Sequence, residues 1–391
     1  MAKHIFSFFI MILIFLLIVC FVNLKLCFGQ DYDSSINIGE KVEVNSEILK
    51  ESRNIFIYTP DGYEESNLKY PTLYVLDGTE NYLISTAIVN FLSRIQRIPP
   101  MIVVGIPNVD RDRDLSPLFI EGTSNRGEGD NFLNFLKEEL IPYLDNTYRT
   151  NNYRILFGHS LGGAFANYTL ITKPELFNAY ITASPYLMYN DEFILKEAES
   201  KLDNLLNSRN QLYITLGNEP AYHESLNKYT ALLKDRAKTL RWNYQIFNED
   251  DHNSIPVITL LEGLKYIYAD FQLKMEIAMQ GINAIINHYT LLESKYDYKT
   301  SIPEITLNII GYRLMQNGHI DKAIEVFKYN VKLYPNSANV YDSLAEALEN
   351  SGKTKEAAEN YRIAVKIGRK NDDPNLTIYQ RNLARVETKT Q

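Results

Sequence analysis

Tyr153-Arg154-Ile155-Leu156-Phe157-Gly158-His159-Ser160-Leu161-Gly162-Gly163-Ala164-Phe165-Ala166-Asn167-Tyr168 runs from a short β-rich segment, through a glycine-flanked serine, into an apolar helical stretch. A Gly-x-Ser-x-Gly pentapeptide alone carries little weight, because Gly and Ser are common residues. Between a strand and a helix it acquires the context of a nucleophile elbow. The flanking glycines answer a steric need, since side chains there would collide with the backbone of so tight a turn. The serine then projects at the start of a helix, where free N–H groups can meet an oxyanion.

A serine hydroxyl is a weak nucleophile until a base takes its proton, so a histidine must lie nearby in space. Of the six histidines, His4 lies in the N-terminal leader, and His288 and His319 lie in a helical tail. His159 is expected to point away from its neighbour on the elbow. His252 follows the last expected strand, in Glu249-Asp-Asp-His252-Asn-Ser-Ile-Pro, and is the expected base; His223 is read as a surface or substrate-side residue. The orienting acid should leave the preceding strand, in the order Ser, acid, His. Gln211–Leu216 is followed at once by Gly217-Asn218-Glu219, which makes Glu219 the choice and Glu224 the runner-up. Asp250 and Asp251 are bonded too close to His252 to reach around its ring. The expected oxyanion donors are the N–H groups of Leu161 and of Thr79, the latter in the Asp77-Gly78-Thr79 turn after an early strand.

Outward from the elbow, residues 39–273 alternate β-rich runs with helical ones. Expected strands are Asn54–Tyr58, Thr72–Leu76, Met101–Ile106, Tyr153–Phe157, Ala179–Ala183, Gln211–Leu216 and Trp242–Phe247. Most are continuous apolar runs, as for strands covered on both faces. Asn131–Leu144, Leu161–Lys173, Leu226–Thr239 and Val257–Phe271 read as helices. The class is therefore α/β, a mostly parallel sheet with helices on both faces, followed by an all-α tail.

Beyond residue 275 the text is helical and repeats. Gly311, Ala323 and Phe327 return 34 residues later as Ala345, Ala357 and Tyr361, and Gly318 returns as Gly352. That period resembles the tetratricopeptide repeat. Two units, about 304–337 and 338–371, are too few to stand alone and should pack on helices within 275–300 and on Asn375–Val386. The domain reading is a leader over 1–29, a catalytic domain over 30–275, connecting helices over 276–303, and two repeats with a capping helix over 304–386.

Composition sets the outer bounds. In 391 residues, 45% hydrophobic and 23% charged, a formal net charge of −8 and the lack of a basic run argue against nucleic acid as partner. Lys3 and His4 precede an apolar run from Ile5 to Val22, with Cys27 and Gly29 as small residues before Gln30. This reads as an export signal, with a retained membrane anchor facing outward as the alternative. Both cysteines, Cys20 and Cys27, fall in that leader, so the mature chain is expected to have neither disulfides nor a cysteine nucleophile.

Several stretches in order, Tyr74-Val-Leu-Asp-Gly78, Val103-Val-Gly-Ile-Pro-Asn108, Arg113-Asp-Leu-Ser-Pro117, Phe135-Leu-Lys-Glu-Glu-Leu-Ile-Pro-Tyr143, Gly158-His-Ser-Leu-Gly-Gly163 and Ser184-Pro185, make residues 40–275 resemble the "Putative esterase" family of α/β hydrolases. That family includes siderophore, feruloyl and acetyl-xylan esterases, S-formylglutathione hydrolases and mycolyltransferases. The resemblance implies a serine carboxylic ester hydrolase without cofactor or metal, acting on a small-molecule or acylated-saccharide ester. It places Gly78, His159, Arg113, Tyr186 and Tyr189 on the substrate side. The chain departs at Ser184-Pro-Tyr-Leu-Met-Tyr189, where relatives tend to have Ser-Pro-Ser and tryptophans, which leaves the substrate open. Asp110-Arg-Asp-Arg-Asp114 with Glu121 mimics a calcium loop, but Leu115 stands where the turn needs glycine. It is read instead as an arginine–carboxylate network at the mouth of the site. An acyltransferase of the same fold, or a binding scaffold engaging a protein through its repeats, are the alternatives.

Overall fold

The computed structural model describes residues 38–118, 127–205, 209–296, 299 and 301–388. The leader, both cysteines and Glu121 lie outside the described residues.

Eight strands form one sheet: β1 (Glu40–Ser46), β2 (Glu51–Tyr58), β3 (Tyr70–Leu76), β4 (Ile102–Ile106), β5 (Thr150–His159), β6 (Ala179–Ala183), β7 (Gln211–Leu216) and β8 (Arg241–Ile246), in the order β1-β2-β4-β3-β5-β6-β7-β8. The first hairpin is antiparallel and joins β4 antiparallel, while β4 through β8 run parallel. All seven expected strands are present, and β1 is added. Its Glu-Lys-Val-Glu-Val-Asn-Ser text alternates exposed and covered residues, as an edge strand should. β3, β4, β6 and β7 are buried along their whole length.

Helices cover both faces. On one, Gly129–Phe135, Leu161–Thr172, Tyr189–Lys201 and His223–Arg236 enclose Phe132, Phe135, Phe165 and Tyr229. Tyr189–Lys201 is interrupted near its start, where Asn190, Asp191 and Glu192 have positive φ. The single helix expected over 131–144 is broken by a π-segment, Leu136–Leu140, before Ile141–Thr147. Pro142 has no N–H to offer the preceding turn, and the widened turn accommodates it. Gly78–Arg94, absent from the sequence reading, and Ile255–Ile267 cover the other face.

The tail continues that second face. Ile282–Tyr296 is followed by the hairpins Glu304–Gln316/Ile320–Leu333 and Ala338–Asn350/Thr354–Lys370, then by Leu376–Glu387. Gly318 and Gly352 close the two hairpin turns with φ of +78° and +81°. One apolar cluster runs from Val75, Ile155 and Ile181 in the sheet, through Leu264 and Tyr296, to Phe327, Tyr361 and Val386. Tyr296 packs edge-on against Tyr153 and tilted against Tyr268, and donates its hydroxyl to the Ile267 carbonyl at 2.8 Å. The tail therefore shares a core with the sheet.

Candidate active site

The parallel strands deliver their C-terminal ends to one crevice, where this architecture gathers ligands. β5 ends at His159, and Ser160 caps the next helix with φ 55° and ψ −118°. That conformation is costly for a residue with a side chain and marks a strained turn. A Cβ on Gly158 would lie 2.2 Å from the Gly162 carbonyl oxygen, so no other residue fits there. Leu161 opens the helix, and its N–H belongs to the first turn, which has no intrahelical acceptor.

β7 delivers Glu219 and the loop after β8 delivers His252. Glu219 Oε1 meets His252 Nδ1 at 2.5 Å, with the carboxylate 10% exposed and the imidazole 34% exposed. The other carboxylate oxygen accepts the Ser184 hydroxyl and, at 3.3 Å, the Gly217 N–H. Glu224 is 81% exposed and pairs with Lys228 on the following helix, so it is removed from the cluster. Asp251 uses its carboxylate to cap the Asn253 and Ser254 N–H groups of its own turn. Tyr222 lies beside the pair, with its ring 5.7 Å from that of His252. Burial, and then the Glu219 charge, raise its pKa.

Across the elbow, β3 ends in Asp77, also at positive φ, and Gly78 and Thr79 start the next helix. Gly78 is buried under β4, and Thr79 is exposed in the first turn. Asp77 accepts Asn108 at 2.6 Å and is clamped from both oxygens by Arg111 at 2.7 and 3.0 Å. The same guanidinium reaches the His159 carbonyl at 3.4 Å. One arginine thus ties the turn carrying Thr79 to the elbow carrying Leu161. A cavity of about 360 Å³ lies beside this clamp, lined by Asn108, Arg111, His159 and Val257 among others.

Three sequence expectations need correction. His159 does not point away; its ring packs on that of His252 with centroids 4.6 Å apart. Burial, followed by the neighbouring His252, pushes the His159 imidazole down from 6.5 to about 4. Arg113 is not free for a substrate, because it pairs with Glu51 and Asp114, and Asp114 is shared with the buried Arg53. The acidic loop therefore spends Asp114 on two arginines, and Arg111 is the arginine beside the crevice. Tyr189 is buried with its hydroxyl donated to the Leu118 carbonyl, while Tyr186 is half-exposed and packs on both Tyr189 and Tyr222. Tyr222, Ser184 and Arg111 were missed as site residues. Only Ser184 carried a retrievable signal, since it directly follows β6; Arg111 and Tyr222 lie five and six residues beyond β4 and β7.

Residues 46–253, just over half of the chain, match the family described as "Putative esterase". The ferri-bacillibactin esterase BesA of Bacillus subtilis is 27% identical over 227 residues, covering 50% of this chain and 78% of that one. The siderophore enterobactin esterase of Emericella nidulans is 34% identical over 151 residues, 32% of this chain and 49% of that one. An IroE-like serine hydrolase from Shewanella oneidensis superimposes with a TM-score of 0.66 at 25% identity, over 75% of this chain and 99% of its own. With the elbow, the sheet order and this match in agreement, the chain belongs to the "Putative esterase" family of α/β hydrolases and is an esterase, a hydrolase.

Proposed function

We propose that the chain is a serine carboxylic ester hydrolase that works through an acyl-Ser160 intermediate. The observation that carries this reading is the strained Ser160 at a helix N-terminus, in one crevice with a His252–Glu219 pair at 2.5 Å. Ser160 Oγ attacks the ester carbonyl carbon as His252 Nε2 takes its proton. The C=O electrons move onto oxygen, where the Leu161 and Thr79 N–H groups receive the charge. Collapse of the tetrahedral species breaks the C–O bond, and the alcohol leaves with the proton from His252. Water then repeats the sequence on the acyl-enzyme and releases the acid. Glu219 holds the Nδ1–H tautomer and stabilises the imidazolium formed in each half.

The substrate we favour is an ester of the siderophore kind, because that is the substrate named for the relatives above. Tyr186 and Tyr222, packed together beside His252, supply aromatic surface that suits an aromatic acid. Acylated carbohydrate is the second candidate. The leader supports an exported protein, and the 34-residue period supports a tetratricopeptide-type tail. A fluorophosphonate probe should label Ser160, and Ser160→Ala should lower kcat on p-nitrophenyl esters roughly 10⁵–10⁶-fold. Near wild-type turnover by that variant refutes the mechanism.

A further inference from the structure

At the opposite end of the strands, about 20 Å along β3 from the crevice at some 3.3 Å per residue, the hydrolase and the tail border a cavity of about 420 Å³. Its walls come from the start of β3, the segment after the helix Gly78–Arg94, and the first tail helices. That volume lies in the range of small-molecule sites and would hold about a dozen carbon-sized groups at roughly 30 Å³ each. Three large apolar side chains at its mouth, Leu68, Ile95 and Ile309, remain 45–49% exposed. Exposed apolar side chains gathered around one concavity are the mark of a surface awaiting a partner. Gln96 in the wall is held at φ 56° and accepts a hydrogen bond from Thr306 of the tail. That left-handed residue ends the helix Gly78–Arg94, whose Ser93 and Leu92 carbonyls accept the Gln96 and Arg97 N–H groups.

The electrostatics select the ligand. Among the described residues, Lys69, Arg94 and Lys299 line the cavity, no acidic side chain does, and none of the three makes an ion pair. This holds in a chain whose net charge is −8. The first turn of Glu304–Gln316, represented in the lining by Pro303 and Thr306, carries the Glu304 carboxylate, and its Thr306 and Leu307 N–H groups are taken by the Pro303 carbonyl, so the positive field of the cavity comes from the three side-chain cations and not from a helix end. We propose that this seam binds a free amphipathic carboxylate of medium chain length, with its chain between hydrolase and tail and its head group at Lys69 and Arg94.

Decanoate titrated into the full chain by calorimetry tests this, with decanol and decyltrimethylammonium of the same chain length as controls. Decanoate should bind at least tenfold more tightly than decanol, and the cation should not bind. Ester hydrolysis should be inhibited non-competitively or not at all, since the seam lies away from Ser160. Lys69→Glu combined with Arg94→Glu alters exposed residues only; it should abolish the preference for decanoate and leave p-nitrophenyl ester turnover unchanged. Equal affinity for decanoate and decanol, competition with the ester, or full decanoate binding by the double variant would overturn the proposal.

Discussion

Replacing Ser184 by alanine removes one oxygen atom from the site, and the structure sets the size of the effect. Ser184 is fully buried, its hydroxyl donates to Glu219 Oε2, and it accepts the Gly217 N–H at 3.2 Å. After the change, Gly217 still has Glu219 Oε2 at 3.3 Å, so the orphaned group is the carboxylate oxygen rather than the amide. A hydrogen bond to a charged group contributes about 1.5–3 kcal/mol. Glu219 is most needed as a full, fixed anion when His252 becomes an imidazolium, so the loss should fall on kcat rather than KM. At 1.36 kcal/mol per decade, kcat should drop roughly 10- to 150-fold with KM within about twofold. The backbone demand is unaltered, because alanine inherits the φ of +39° that serine already tolerates. Steady-state kinetics on a short p-nitrophenyl ester, with circular dichroism as a check on folding, reads this directly. A folded variant with wild-type kcat, or one in which only KM changes, refutes the role given to Ser184.

Three further outcomes follow from the same geometry. Glu219→Gln should lower kcat on the order of 10⁴-fold while Glu224→Gln leaves it nearly unchanged; kinetics on both variants decide which acid orients His252. His159 is held near pKa 4 against 6.5 in an ordinary environment, so the unfolded chain binds the extra proton first as pH falls. Its contribution to stability is therefore complete above pH 6.5 and declines by about 2–3 kcal/mol towards pH 4; urea titrations at both pH values should show this part of the slope vanish in His159→Gln. Ending the chain at residue 275 uncovers Tyr153 and Tyr268, which Tyr296 covers. At about 1.5–3 kcal/mol per large buried side chain, the truncated protein should melt roughly 10 °C lower or aggregate, and a differential scan with an unchanged midpoint would contradict the shared core.

What the sequence disclosed and what it hid divide along a physical line. β3 to β7 were legible because strands buried on both faces must be apolar throughout, whereas β1 escaped because an edge strand mixes Glu40, Lys41 and Glu43 with Val42 and Val44. Ser160, Glu219 and His252 were within reach because each leaves the end of a strand, and elimination among six histidines needs no coordinates. His159 was misjudged because chain adjacency to Ser160 says nothing of ring direction once Ser160 turns at φ 55°. Arg113 and Arg111 are two residues apart in one acidic loop, and only the path of that loop decides which faces Glu51 and which faces Asp77. Tyr222 depends on a short 3₁₀ turn, Pro220–Tyr222, that no periodicity announces.

The backbone itself supplies a separate reason to regard this crevice as the working part of the molecule. Asp77, Ser160 and Ser184 each hold positive φ without being glycine, and they terminate the adjacent strands β3, β5 and β6. Positive φ in such residues persists only where surrounding contacts over-determine it. Here the contacts are visible: Asp77 is held by Asn108 and Arg111, the Ser160 N–H donates to the Ala183 carbonyl at 2.9 Å, and the Ser184 N–H donates to the Thr215 carbonyl at 2.9 Å. Two largely covered carboxylates frame the serine, Asp77 with its arginine clamp on one side and Glu219 with Ser184 and His252 on the other. A pre-set frame of this kind stabilises developing charge without having to reorganise at the moment of reaction. The glycines here answer the same close packing: a Cβ on Gly158 would lie 2.2 Å from the Gly162 carbonyl oxygen, and one on Gly78 would lie 2.5 Å from the Ile106 nitrogen.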